Sequence, residues 1–162
     1  MARHRTLIYA MAATALASLL GVYAAQAQAP TPMSTVIGRG TFFDDLKVRR
    51  HDPSEWRVQV DAKGGLEVAT QTIVFPVGSQ SGWHTHPGPV FIVVQDGTMT
   101  FYEADCSKTV VSAGHGFLDT GLEPHIARNE STAPALNVVT YLVPPGAGAL
   151  RTNTDPPPSC GF

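Results

Sequence analysis

Two histidines separated by one residue, His84-Thr85-His86, open the search for chemistry in this chain. In a strand, residues i and i+2 point to the same face, so both imidazoles project together and supply half of a metal site. A third imidazole has to come from another strand. His125 begins one, just after the turn Gly121-Leu122-Glu123-Pro124. Three converging imidazoles with apolar flanks are costly to bury unless each finds a partner, at roughly 1 to 3 kcal/mol per unpaired polar group, and one divalent transition metal would satisfy all three. Ligand type alone leaves Zn, Cu, Mn, Fe and Ni open. Glu123 is the candidate fourth ligand, because alternation through Pro124 would turn its carboxylate to the side of His125. With His115 in Gly114-His115-Gly116, it is also the candidate catalytic acid or base.

The elements that must hold these side chains read as short strands. Apolar residues recur at period two in Trp56, Val58, Val60 and in Val68, Thr70, Thr72, Val74. Further runs follow at 90–94, 98–102, 117–119, 126–128 and 136–143, bounded by Gly and Pro clusters. Asp96-Gly97 signals a hairpin that should pair 90–94 with 98–102. No stretch beyond the N-terminal segment shows a helical stripe, and many short strands must fold on themselves to hide their edges. The expectation is one all-β domain over residues 36–148, a sandwich, barrel or jelly roll, preceded by a flexible arm at 28–35, where Pro, Ala and Gln lack periodicity.

Residues 1–27 carry the order of a cleavable secretory signal: Arg3 and Arg5, an uncharged run from Leu7, and Ala25-Gln26-Ala27 as the cleavage site. The mature chain is therefore expected in a secreted or periplasmic location, free of the membrane. Without a twin-Arg signal it would take up its metal outside the cytoplasm, where the affinity order favours copper and zinc. Two cysteines in an oxidising compartment predict one disulfide, Cys106–Cys160, tying down a C-terminal tail at 149–162. Net charge is −2 and no basic cluster exceeds Arg49-Arg50, which argues against nucleic acid as a partner. Charged residues are 15% of the chain against roughly 25% in an average domain, so apolar surface is left over for a homodimer.

With these residues in view the sequence resembles the cupin superfamily. Gly78, His84, His86 and Gly97 match G-x5-H-x-H-x3-E-x6-G, and Gly114, His125 and Asn129 match G-x5-P-x-G-x2-H-x3-N. The resemblance covers about Leu66 to Pro145 and implies a double-stranded β-helix, or jelly-roll barrel, with a metal in its mouth. Val90 stands where that family carries a ligand glutamate, and Thr120 and Leu122 replace the Pro and Gly of the second motif. What the resemblance implies is either a three-His site with open positions, as in cysteine dioxygenase-like cupins, or a carboxylate brought from elsewhere.

The expected function is an exported, metal-dependent cupin enzyme acting on a small molecule by dioxygenase-like or other chemistry. The alternatives are a non-catalytic module for a metal or small ligand, and a structural dimeric barrel. An enzyme needs a pocket that reaches open coordination positions, a sequestering module closes its ligand shell, and a structural barrel fills the mouth with apolar side chains. Trp83, Phe91 and Tyr102 could line such a pocket or belong to the core, and His51 reads as a surface residue. Asn129-Glu130-Ser131 also has the form of a glycosylation acceptor.

Overall fold

A computed structural model describes residues 29–51 and 54–162; the stretch 1–27, expected to be a secretory signal, lies outside them. No helix occurs among the described residues. The chain runs through β1 (Met33–Phe42), β2 (Leu46–His51), β3 (Arg57–Ala62), β4 (Leu66–Phe75), β5 (His84–Thr85) and β6 (Val90–Asp96). It continues through β7 (Thr98–Tyr102), β8 (Lys108–Ser112), β9 (Gly116–Asp119), β10 (Ile126–Arg128), β11 (Ala135–Val143) and β12 (Thr152–Asn153). A five-stranded sheet in the order β1-β4-β11-β6-β9 faces a three-stranded sheet β10-β7-β8, with β12-β5 and β2-β3 as two-stranded ribbons. All the named pairings are antiparallel.

Period two turns into burial along β6 and β11, but not in the run through β3, where Trp56 and Val58 are exposed, nor along β4, where Glu67 and Ala69 are buried and Val68, Thr70, Thr72 and Val74 are half-buried. Along β11 alternate residues from Ala135 to Val143 are buried, and β6 buries Val90, Ile92 and Val94 while Phe91 and Val93 face out. These side chains meet Met99 and Phe101 of β7 and Val111 of β8 in one core that both sheets share. A smaller cluster of Trp83, Tyr102, Ile126 and the Cys106–Cys160 disulfide sits beneath the C-terminal tail.

Two expectations require correction. β6 and β7 do not form a hairpin: β6 pairs with β11 and β9, whereas β7 pairs with β10 and β8. Gly97 has the positive φ (77°) that Asp-Gly announced, but it turns a barrel corner and carries the chain from one sheet to the other. A Cβ there would lie 2.6 Å from the Pro134 carbonyl oxygen, so the corner needs glycine for close approach as well as for φ. The second correction concerns the N-terminus. β1 starts at Met33, inside the stretch read as an arm, and pairs along β4, where Arg39 forms an ion pair with the buried Glu67. Its residues are nearly all exposed, so no alternation marked it.

Candidate metal centre

His84 lies on β5, between β12 on one side and His125 on the other. The backbones of His84 and His125 exchange two hydrogen bonds of 3.0 Å, which makes the two residues direct antiparallel neighbours. His86 follows two residues along and is held by its own N–H, which donates to the Gly121 carbonyl at 3.0 Å. The result is three buried imidazoles with ring centroids 4.3, 4.7 and 5.0 Å apart, one ring nitrogen of each lying within 4.8 Å of the others.

Which nitrogens face inward is fixed by backbone carbonyls. Nδ1 of His84 donates to Gly82 at 2.8 Å, Nδ1 of His86 to Leu150 at 2.6 Å, and Nδ1 of His125 to Glu123 at 3.1 Å. A carbonyl only accepts, so each Nδ1 keeps its proton, and each ring in its neutral form presents an Nε2 lone pair. A carbonyl that orients and polarises the ring in this way is the usual outer partner of a metal-bound histidine. Burial, the nearby charges of His125 and Arg151 and the proximity of His86 push His84 down to about 3 against the hydrogen bond to Gly82. Burial also lowers His86, with the Leu150 hydrogen bond working the other way. Both rings are thus held neutral.

Asp119 is the residue that sequence reasoning missed. Its Oδ2 is buried, lies 2.7 Å from His125 Nε2 and 3.6 Å from His86 Nε2, and receives no hydrogen bond of acceptable geometry. Oδ1 accepts the Gly121 amide at 2.7 Å. Burial alone would raise the Asp119 pKa, but His125, the Gly121 N–H and His86 together leave it lowered. With Nδ1 of His125 already a donor, Oδ2 and Nε2 confront each other as two lone pairs unless a cation settles between them, either a proton that makes His125 an imidazolium or a metal ion. Asp119 also pairs with Val90 across β6 and β9. A carboxylate therefore enters from the strand beside the position where the cupin pattern has its glutamate.

The other candidates lie elsewhere. Glu123 is exposed, and only its backbone carbonyl touches the site, so Pro124 does not continue a strand through it. His115 is an exposed turn residue whose Nδ1 lies 3.3 Å from the Ala113 carbonyl, away from the histidine cluster. Trp83 and Tyr102 belong to the smaller core cluster, Phe91 is exposed, and Val90 is fully buried. The Asn129 side chain is 1% exposed and committed to hydrogen bonds with Phe75, Ala133 and Ser131, so the acceptor reading gives way to a structural one.

In front of the histidines opens a cavity of about 220 Å³, below the roughly 300 Å³ of a drug-sized pocket. All three imidazoles line it, with Val90 and Ile92 as an apolar wall and Tyr141 and Arg151 among its polar groups; Asp119 is not on its wall. Residues 71–141 match a family described as Cupin domain. The chain carries a cupin domain. Its fold is similar to that of an uncharacterised double-stranded β-helix protein from Klebsiella pneumoniae, with 18% identity, a TM-score of 0.50, and coverage of 76% of this chain and 86% of that one. A cupin superfamily protein from Desulfitobacterium hafniense matches at 10% identity and TM-score 0.49, covering 73% and 83%. The DMSP lyase DddQ from Ruegeria pomeroyi matches at 18% and 0.48, covering 55% and 44%. No curated protein matches the sequence.

The cupin site leans on one glycine. Gly121 has φ +87°, donates to Asp119, accepts from His86, and would place a Cβ 2.4 Å from the Gly88 carbonyl oxygen. Gly121→Ala is expected to destabilise the fold by about 3 kcal/mol, from left-handed strain and backbone collision together. Urea denaturation checks this; a loss under about 1 kcal/mol would show that the loop yields freely.

Proposed function

We propose that this cupin is exported and holds one divalent transition metal on His84, His86 and His125, with Asp119 as the adjoining carboxylate, and acts on a small molecule as a metal-dependent enzyme. One observation supports the metal above all: three carbonyls fix three Nε2 lone pairs on one point, where a buried carboxylate oxygen has no hydrogen bond. The donor set fits an ion of the imidazole-binding class. Such an ion supplies Lewis acidity and, for copper, iron or manganese, redox chemistry. The chain's own part is to orient the rings, to wall off bulk water with Val90 and Ile92, and to leave one side open to the cavity. That open side favours an enzyme over a sequestering module, and the polar groups around it speak against a purely structural barrel. The Cys106–Cys160 disulfide supports an oxidising compartment.

The test is elemental analysis by mass spectrometry of the protein recovered from the export compartment of its own cell, with N-terminal sequencing of the same sample. About one transition-metal ion per chain and an N-terminus at Gln28 are expected. A folded chain that carries no metal and refuses added Zn, Cu, Mn, Fe and Ni sinks the metal reading, and a retained residue 1–27 sinks cleavage.

A further inference from the structure

The C-terminal tail, beyond the span of the cupin match, delivers a cation to the cavity. β12 pairs with β5, and just before it Arg151 reaches the cavity wall beside the histidines. One of its nitrogens, Nη2, donates to the Ser81 carbonyl at 2.9 Å and to Asn153 Oδ1 at 2.7 Å. These bonds fix the guanidinium in place without neutralising it, and among the described residues no carboxylate forms an ion pair with it. A held cation with donors to spare is a receptor for a planar anion.

Two further groups shape the anion's surroundings. Tyr141 OH accepts a hydrogen bond from Gln71 Nε2 at 2.5 Å, so its own proton is free to be donated into the cavity it lines. Asn137, 1% exposed on the same wall, has a buried Oδ1 with no hydrogen-bond partner. A buried acceptor left bare costs roughly 1 to 3 kcal/mol, and a ligand O–H or N–H would remove that cost. Cation, donor and acceptor stand around a space of about 220 Å³ that ends on the three imidazoles.

From this arrangement we propose that the cavity binds a small carboxylic acid bearing a hydroxyl or amino donor, its carboxylate on Arg151 and Tyr141 and its donor directed to Asn137. The proposal rests on the metal reading for the site's far wall only; the anion contacts are the chain's own.

Isothermal titration calorimetry on the mature, disulfide-intact chain decides it, with glycolate and lactate as probes against glycolamide and lactamide. Metal content is measured on every sample. Wild type should bind the carboxylates about 10- to 100-fold more tightly than the amides, the span expected for hydrogen bonds to a charged group. Arg151→Met should erase that preference with metal content unchanged, Arg151→Lys should restore part of it, and Tyr141→Phe should weaken carboxylate and amide binding unequally, the carboxylate more. Equal binding of acids and amides by wild type, no binding of either, or an unchanged preference in Arg151→Met overturns the proposal. Folded protein without metal that still prefers the acids would leave this inference standing and remove the metal reading instead.

Discussion

His125→Ala should abolish stoichiometric metal binding, whereas Asp119→Asn should weaken it by about 100-fold and leave the fold intact. The two differ because of what each side chain does to the others. His125 supplies one of three fixed lone pairs and, through its backbone, both hydrogen bonds that align His84; the alanine keeps the backbone and removes the ligand. Without it, two imidazoles cannot hold an ion against the chelating power of buffer and cell. Asp119 contributes the charge. Its Oδ2 lies 2.7 and 3.6 Å from the Nε2 atoms of His125 and His86, and replacing the charged oxygen with an amide removes an attraction that a divalent cation would feel strongly at a buried position. Loss of an outer partner commonly costs 10- to 100-fold in metal affinity, and loss of a direct ligand costs more. Competition against a chromophoric chelator reads both variants. Asp119→Asn with wild-type affinity would assign the carboxylate to structure alone, and His125→Ala with one ion still bound would require a different ligand set.

The outcome at Asp119 also shows where sequence stops. His84 and His86 were legible because their relation is local: period two along one strand puts both rings on one face. His125 was legible because a turn precedes it at the offset the second cupin motif expects. A carboxylate was sought by the same local alternation, two residues before His125, and that search ended on exposed Glu123. Asp119 comes to the site through the Val90↔Asp119 register of β6 and β9, a pairing between residues 29 apart that no window of sequence displays. The Leu150 carbonyl that orients His86 is harder still to foresee, because any residue has a carbonyl. The fold class followed from strand periodicity and turn residues, yet Asp96-Gly97 announced only a positive φ, and a barrel corner meets that demand as well as a hairpin does. Exposure hid β1 and β2 for a related reason: with little surface to bury, these strands need no apolar alternation, although β3 carries one while largely exposed.

The tail is the part of the cupin in which stability and site chemistry are joined, and the largest stability effect is expected there. Replacing both Cys106 and Cys160 with serine opens a loop closed by residues 54 apart, which the chain-entropy relation values at about 4 kcal/mol. For a chain of this size that is a fall of roughly 10 to 15 °C in Tm. The loss should not stop at stability. The disulfide completes the cluster of Trp83, Tyr102 and Ile126, on which Phe162 also packs, and so anchors the tail that carries Leu150 and Arg151 to the barrel. When that anchor is released, the tail around β12 keeps a two-residue ladder on β5, the Thr154 amide on Trp83 and the Arg151 hydrogen bond to the Ser81 carbonyl. The Leu150 carbonyl then detaches from His86 for part of the time, and the ring loses the contact that fixes its tautomer. Metal affinity is therefore expected to fall about 10-fold in the double serine variant, the lower end of the range for a lost outer partner, even at temperatures where the barrel is folded. Calorimetric melting and chelator competition on the same sample separate the two effects. A lowered Tm with unchanged metal affinity would mean that the short β12–β5 ladder holds the tail by itself; an unchanged Tm would mean that the unfolded chain gains little freedom from opening this loop.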